Sequence, residues 1–214
     1  MYIRDEIIIL HSTAYGEKSA ILHTLSRKYG RRSFMLRDVR KYLPMIQSLT
    51  VLGCDVEENP RARLLSVRNL YELKPLVGIR SSVCKNAISM FLSELLYRSL
   101  KEGECEDGLF DWCLSRIILL DSVESDYANF HIRFMLDYAS TLGFRPTYDA
   151  LLPFMDASTL VVARMLDMDF ASAMLLPMNG EQRSRACAGL ISYLECHMDT
   201  ALNIRSLAVL SELF

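Results

Sequence analysis

The residues best suited to chemistry lie close together, between positions 27 and 41. This stretch holds Arg27, Lys28, Arg31, Arg32, Arg37, Arg40 and Lys41 against a single acid, Asp38. Tyr29 and Phe34 are interleaved with them, and Tyr42 follows directly. Cations at this density neutralise phosphates and release condensed counterions. Aromatic rings among them offer stacking surfaces that accept any base, at roughly 1–3 kcal/mol per base. Arg27, Lys28, Tyr29, Arg31, Arg32, Arg37, Arg40 and Lys41 are therefore the candidate nucleic-acid ligands. Phe34 reads as a core residue, and Arg61, Arg63 and Arg68 as a lesser extension of the surface. The competing reading is a solvated turn and strand edge, where Lys and Arg oppose aggregation.

Other chemistry finds little support. The six cysteines, Cys54, Cys84, Cys105, Cys113, Cys187 and Cys196, form no C-x-x-C pair. Structural zinc sites usually pair ligands about two to four residues apart. Cys105 and Cys113 are too widely spaced for that, as are Cys187 and Cys196 with His197 beside them. The cysteines read as small buried apolar residues, and no metal or other cofactor is expected. His11 and His23 fall in expected strands, His131 and His197 in expected helices, each as a packed or solvated side chain. The chain lacks a Gly-rich phosphate loop, G-x-S-x-G and H-E-x-x-H. Glu102, Glu104, Glu106 and Asp107 suit a helix start or simple solubility. The chain is expected not to be an enzyme, and an enzyme with an unrecognised site is the remote alternative.

Five short strands are available to position the cationic stretch. Glu6–His11, Ala20–Leu25, Arg32–Arg37, Ser48–Val56 and Ala62–Tyr71 are the expected runs. Turn signals separate them at Tyr15-Gly16-Glu17-Lys18, at Lys28-Tyr29-Gly30-Arg31 and at Glu58-Asn59-Pro60. In the last run Leu65 and Val67 alternate with Ser66 and Arg68, the mark of a half-buried strand. So many short strands suit a closed barrel, because closure removes exposed edges. The OB-fold is the five-stranded candidate.

Near Lys74-Pro75-Leu76-Val77-Gly78 the period changes to that of helices. Ser81 or Ser82 caps a helix bearing Val83, Ala87, Phe91 and Leu95, with a stop at Gly103. Asp107–Leu120 forms a second. Asp126 caps a third carrying Ile132, Met135, Ala139 and Leu142, which Gly143 and Pro146 terminate. A fourth lies within Ala157–Met174, a fifth spans Glu181–Asp199, and Ser206–Phe214 closes the chain. The expected architecture is α+β: an OB-fold DNA-binding domain over residues 1–78, then an all-α domain over 79–214 for partner binding. The short join predicts that the two pack together.

Charge supports that division. Residues 1–78 carry thirteen Lys/Arg against eight Asp/Glu, whereas residues 79–214 carry eleven against eighteen. The overall charge of −2 therefore hides a basic first part, a prior for a polyanion-binding module joined to something else. The most apolar stretch, Leu151 to Pro177, is broken by Asp156, Arg164, Asp167 and Asp169. No run approaches the roughly 20 residues that span a bilayer, and the N-terminus lacks a signal-peptide core. A soluble, cytoplasmic protein without membrane contact is expected.

Several segments resemble the bacterial RecO recombination proteins. Ile88-Ser-Met-Phe-Leu-Ser-Glu-Leu-Leu-Tyr-Arg-Ser-Leu100, followed by Leu109-Phe110-Asp111, is similar to the first two helices after that family's barrel. Asn129-Phe-His-Ile-Arg-Phe-Met-Leu-Asp-Tyr-Ala-Ser-Thr-Leu-Gly-Phe-Arg-Pro146 is similar to its segment ending in Gly-Phe-x-Pro. Tyr15-Gly16-Glu17 between the first two strands, Gly30 before the third, and Arg205-Ser206-Leu207 with Leu210 also fit. The resemblance spans nearly the whole chain. Two departures stand out. Many members hold zinc on paired C-x-x-C motifs soon after Gly-Phe-x-Pro, but Thr147 to Arg185 contains no cysteine. The resemblance is thus to a zinc-free version. Many members also carry Gly-Ala-Arg after the third strand, where this chain has Arg37-Asp38-Val39-Arg40-Lys41.

The resemblance implies an OB-fold, binding of single- and double-stranded DNA, and annealing of complementary strands. It also implies work with RecR and with the C-terminal tail of single-stranded-DNA-binding protein. The joint task it implies is loading the RecA recombinase in a bacterial, nucleoid-associated setting. The tail is acidic and ends in an apolar residue, so its receptor needs an apolar pocket with a cation at the mouth. Arg116 and Arg133 are the candidates. The rival reading is a non-catalytic adaptor whose barrel binds a protein partner.

Overall fold

The computed structural model describes residues 2–58, 64–104 and 107–214. Arg61, Arg63, Cys105, Glu106, the Asn59-Pro60 turn and the start of the fifth expected strand at Ala62 lie outside the described residues. The chain forms two compact units, one of residues 1–77 and 92–119 and one of residues 78–91 and 120–214.

Five strands close the expected barrel: β1 (Tyr2–Tyr15), β2 (Ser19–Ser26), β3 (Gly30–Arg37), β4 (Val51–Glu57) and β5 (Leu65–Glu72), in the order β1-β2-β3-β5-β4. Every pairing is antiparallel except β3 with β5, which is parallel and limited to Phe34–Leu36 against Leu65–Val67. Period-2 alternation sends Phe34 and Leu36 inward, where they meet Ile7, Ile9, Leu22, Leu52, Val56 and Val67. Each such burial stabilises by roughly 1.5–3 kcal/mol. Phe34 is fully buried, as its place in the pattern requires. A 3-10 turn at Val39–Tyr42 brings Tyr42 and then Ile46 against one side of this core.

β1 is much longer than the expected Glu6–His11, because one strand serves two neighbours. Tyr2–Ile8 pairs with β4, and Ile7–Tyr15 pairs with β2. Between Ile9 and His11 the register shifts, and such a bulge bends the strand. The Leu10 carbonyl accepts the buried Ser93 hydroxyl instead. Gly53 faces Tyr71 so closely that a Cβ there would lie 2.3 Å from the ring.

The helical part follows the expected period with displaced edges. Helix α1 is Val77–Ser81, α2 is Val83–Ser99 and α3 is Leu109–Ser122. On α2, Ala87, Phe91 and Leu95 are buried, whereas Val83 is exposed. Helix α4 spans Phe130–Thr141 with Asn129 at its N-cap position, not Asp126, and Gly143 takes the left-handed conformation beyond its end. A four-residue α5 (Tyr148–Leu151) precedes a 3-10 stretch at Leu160–Asp167 and the short α6 (Phe170–Met174). The single expected helix in this region is thus broken, and Asp169 caps its second piece through Ser172. Helix α7 (Gly180–Met198) opens with a reciprocal capping box between Asn179 and Gln182, and α8 (Ser206–Leu213) follows. No helix among the described residues is long and apolar enough to cross a membrane.

Candidate nucleic-acid interface

The cationic stretch divides into two ends with opposite environments. At the far end of β3, Arg37, Arg40 and Lys41 are all exposed. Arg37 and Lys41 line a groove of about 300 Å³ together with Tyr2, Tyr42, Ser66 and Arg68. The guanidinium of Arg68 stacks 3.3 Å from the Tyr2 ring centroid, and the Lys41 ammonium lies 5.2 Å from that of Tyr42. Asp38 and Glu57 are the acids of this groove. Asp38 adopts φ 54°, ψ 43°, the left-handed conformation that glycine favours and that Asp tolerates better than most residues. The aspartate thus keeps the turn that a glycine would make. The Lys18 carbonyl accepts from Val39 N–H at 3.0 Å, which fixes the β1–β2 turn beside the 3-10 turn and adds exposed Lys18 to the same end.

The near end is different. Arg27 is bound to Glu6 at 2.9 Å and to Asp111 at 2.7 Å, and its guanidinium lies 4.3 Å from the Phe110 ring centroid. Lys28 is exposed, on a turn whose backbone is held by Asp5 and Ser26. Tyr29 is half-buried, edge-on to Phe34, and donates its hydroxyl to Glu58. Arg32 is half-buried, and its carbonyl accepts from Thr24.

Arg31 departs most from the expectation of an open cationic face. Its side chain is only 5% exposed and lies over the Tyr97 ring at 4.9 Å. Its Nε and Nη1 meet no hydrogen-bond acceptor among the described residues. Burial lowers its pKa, and Glu102 opposes that shift. The reason is parity: Arg31 and Ser33 share the outer face of β3, and residues of the α2–α3 connection cover it. Arg31 N–H donates to the Glu104 carbonyl at 2.9 Å, and the Arg31 carbonyl accepts from Gly103 at 2.8 Å. Ser33 donates N–H and hydroxyl to the Glu102 carboxylate at 3.0 and 3.1 Å.

Two imidazoles extend this covered face. His11 stacks on His23 at 5.8 Å, and both lie 5.1 Å from Tyr97. Burial and then Arg31 press the His23 pKa down to about 4, and burial also lowers that of His11. Among the described residues, no group of three or more His, Cys, Asp or Glu is placed to hold a metal ion. Cys54, Cys113 and Cys187 are buried thiols, whereas Cys196 is exposed.

Comparison with known proteins gives this geometry a family. Residues 1–73 match the family model described as recombination protein O N terminal, and residues 80–151 match that of its C terminal. The chain is 25% identical to the DNA repair protein RecO of Bacteroides fragilis, with 97% of each chain covered. It is 26% identical to that of Phocaeicola vulgatus over 97% of each, and 32% to that of Porphyromonas gingivalis over 68% of this chain and 62% of the relative. The chain belongs to the RecO family of DNA repair and recombination proteins.

In this RecO-family chain, sequence reasoning passed over Tyr2 and Lys18 and gave Arg68 a minor place. Their signal was available: Arg68 alternates with buried Val67 and so had to face outward. The two candidates for the partner tail also sit differently from each other. Arg116 is half-buried, 5.6 Å from the Trp112 ring centroid. Arg133 spends its donors internally, on Asp137 at 2.9 Å and on the carbonyls of Met165 and Met168 at 2.6 and 2.7 Å. It ties the end of the 3-10 stretch to α4. In the second unit, an open groove of about 480 Å³ is lined by Met174, Leu175, Leu176 and Met178, with Arg183 beside them. Asn129 shapes it by donating to the carbonyls of Ala173, Met174 and Leu176 and accepting from Arg183.

Proposed function

We propose that this chain is a recombination mediator that holds single- and double-stranded DNA on its barrel, anneals complementary strands, and acts by binding without catalysis. The observation that carries the reading is the open groove at the end of β3, where Arg37, Lys41 and Arg68 meet Tyr2 and Tyr42. Cations there neutralise phosphates while the exposed Tyr2 ring accepts an unstacked base. Lys18, Lys28, Arg32 and Arg40 extend the cationic track, and Arg27 and Arg31 are its neutralised and covered members. The partners are RecR and the C-terminal tail of single-stranded-DNA-binding protein, and the product is RecA loaded on strands that protein had coated. We assign the tail to the Met174–Met178 groove, whose methionine and leucine side chains suit the apolar end of such a peptide.

Fluorescence anisotropy with labelled oligonucleotides tests the central step. With about four phosphates contacted, log K against log salt falls with a slope near −3 for single strands. Reversing Arg37, Lys41 and Arg68 together to Glu is expected to weaken binding at least tenfold and flatten that slope. Unchanged affinity would remove the reading. Strand annealing, measured with and without the cognate single-strand-binding protein, tests the mediator role.

A further inference from the structure

The outer backbone edge of β3 is incomplete as a strand pairing. β5 reaches it only from Phe34 onward, which leaves the outward groups of Arg31 and Ser33 to other partners. The chain supplies them from Glu102, Gly103 and Glu104, just after α2. The filler is acidic, and it lies on the most cationic strand of the barrel. A second carboxylate, Asp111 in the first turn of α3, holds Arg27 in the same way. Carboxylates on Ser33 N–H and hydroxyl and on an arginine reproduce the contacts that phosphate oxygens would make.

We propose that the Glu102–Glu104 segment, with Asp111, is an internal polyanion: a displaceable strap that competes with DNA for the Arg27–Ser33 end of the barrel. This rests on the reading of the barrel as a DNA-binding surface and adds its regulation. The closed contact is built from exchangeable parts. The Arg27–Asp111 pair is largely solvent-accessible, at 36% and 66% side-chain exposure, so salt and competing anions weaken it. Arg31 is buried with two guanidinium nitrogens that meet no acceptor among the described residues, a costly state that an incoming phosphate would relieve. Gly103, at φ +90° with open space around it, gives the strap a joint with low resistance. Displacement frees Arg27 and Arg31 of their internal partners and joins them to exposed Lys28 at this end of the barrel.

The test compares the full chain with its Glu102→Gln/Asp111→Asn variant on oligo-dT across a salt series. The variant keeps the shape of both side chains and one acceptor oxygen on each while removing their charge; at position 102 the new NH2 donates to the Ser33 hydroxyl, which until then donated to the carboxylate. Expected are three- to tenfold tighter binding and a salt slope steeper by about 0.7–1.4, one or two extra phosphates. Adding Arg27→Gln and Arg31→Gln should erase the gain. A wild type that binds with salt dependence, but a variant with the same affinity and slope, would overturn the strap and leave the DNA reading intact. Absence of any salt-dependent binding by the wild type would overturn both. Hydrogen exchange on the unmodified protein gives an independent readout at the Arg31 amide, whose acceptor is the Glu104 backbone carbonyl: it should exchange faster when oligo-dT is bound. Equal or greater protection of that amide would equally refute the strap.

Discussion

Arg68 stacks on Tyr2, its guanidinium carbon 3.3 Å from the ring centroid, across the first and last strands of the barrel. Tyr2 remains 44% exposed, so the pair forms a platform open to solvent on the groove side. A base entering the groove would stack on this platform while Arg37 and Lys41 hold its phosphates. Tyr2→Ala is expected to weaken oligo-dT binding by roughly 1–3 kcal/mol. Arg68→Ala should cost a similar amount, and the double variant less than the sum, since each residue orders the other. Additive losses in titrations of all three variants would show that the two act separately.

Asp38 offers a test of backbone and charge together. A non-glycine residue in the left-handed region carries a cost of roughly 1–2 kcal/mol, reduced for Asp. Asp38→Gly is expected to raise the melting temperature, whereas Asp38→Ala, with the same charge change but a Cβ in that conformation, should lower it. Both remove an acid from the groove, so both should tighten DNA binding by about 0.5 kcal/mol. A melting temperature that moves the same way in both variants would contradict the backbone argument.

The barrel was legible in the sequence wherever half-buried alternation was unbroken, as in Ala20–Thr24 and Phe34–Arg37, and wherever turn residues marked the strand ends. β1 was cut short because buried Asp5 interrupts its apolar face, and because one strand that pairs with two neighbours has no period of its own. The candidate site was legible as charge but not as orientation. The expected third strand began at Arg32 and left Arg31 in the preceding turn, whereas β3 starts at Gly30 and puts Arg31 on the face opposite Phe34 and Leu36. What covers that outer face is a segment distant in the chain, and no local pattern encodes it. Arg133 shows the same limit: its acceptors on the Leu160–Asp167 stretch and Met168 exist only once that stretch is broken into a 3-10 turn.

His131 sets an acid limit for the second unit. It is 1% exposed, edge-on to Phe91, with Nδ1 unbonded among the described residues. Burial, and then Arg183, press its pKa from 6.5 to about 3. The unfolded chain takes up a proton near pH 6.5 and the folded one resists until near pH 3. The contribution is therefore full above pH 6.5 and is lost as pH falls toward 3, with a slope of up to about 1.4 kcal/mol per pH unit. His11 and His23 add to the slope in the same direction. Urea midpoints between pH 4 and 7.5 should show His131→Leu with a shallower pH dependence than wild type. An identical dependence would mean that the imidazole is not held neutral.

Asp5 is the buried support of the turn that presents Lys28 and Tyr29. It is 4% exposed and accepts from the Ser26 hydroxyl at 2.5 Å, from Glu6 N–H at 2.8 Å and from Lys28 N–H at 3.3 Å. Burial raises its pKa, and these three donors oppose the rise. Removing the carboxylate leaves donors without acceptors in a water-poor place, at roughly 1–3 kcal/mol. Asp5→Ala is accordingly expected to destabilise the fold by that amount. Because the Ser26 hydroxyl also accepts from Lys28 and Tyr29 N–H, the loss should spread along the turn. The Lys28 and Tyr29 amides should then exchange faster, and DNA affinity should fall more than Lys28→Ala alone lowers it. Asp5→Asn retains an acceptor oxygen and should recover part of the stability. Should both variants melt with the wild type, the carboxylate would not be what holds this turn, and the placement of Lys28 would need another cause.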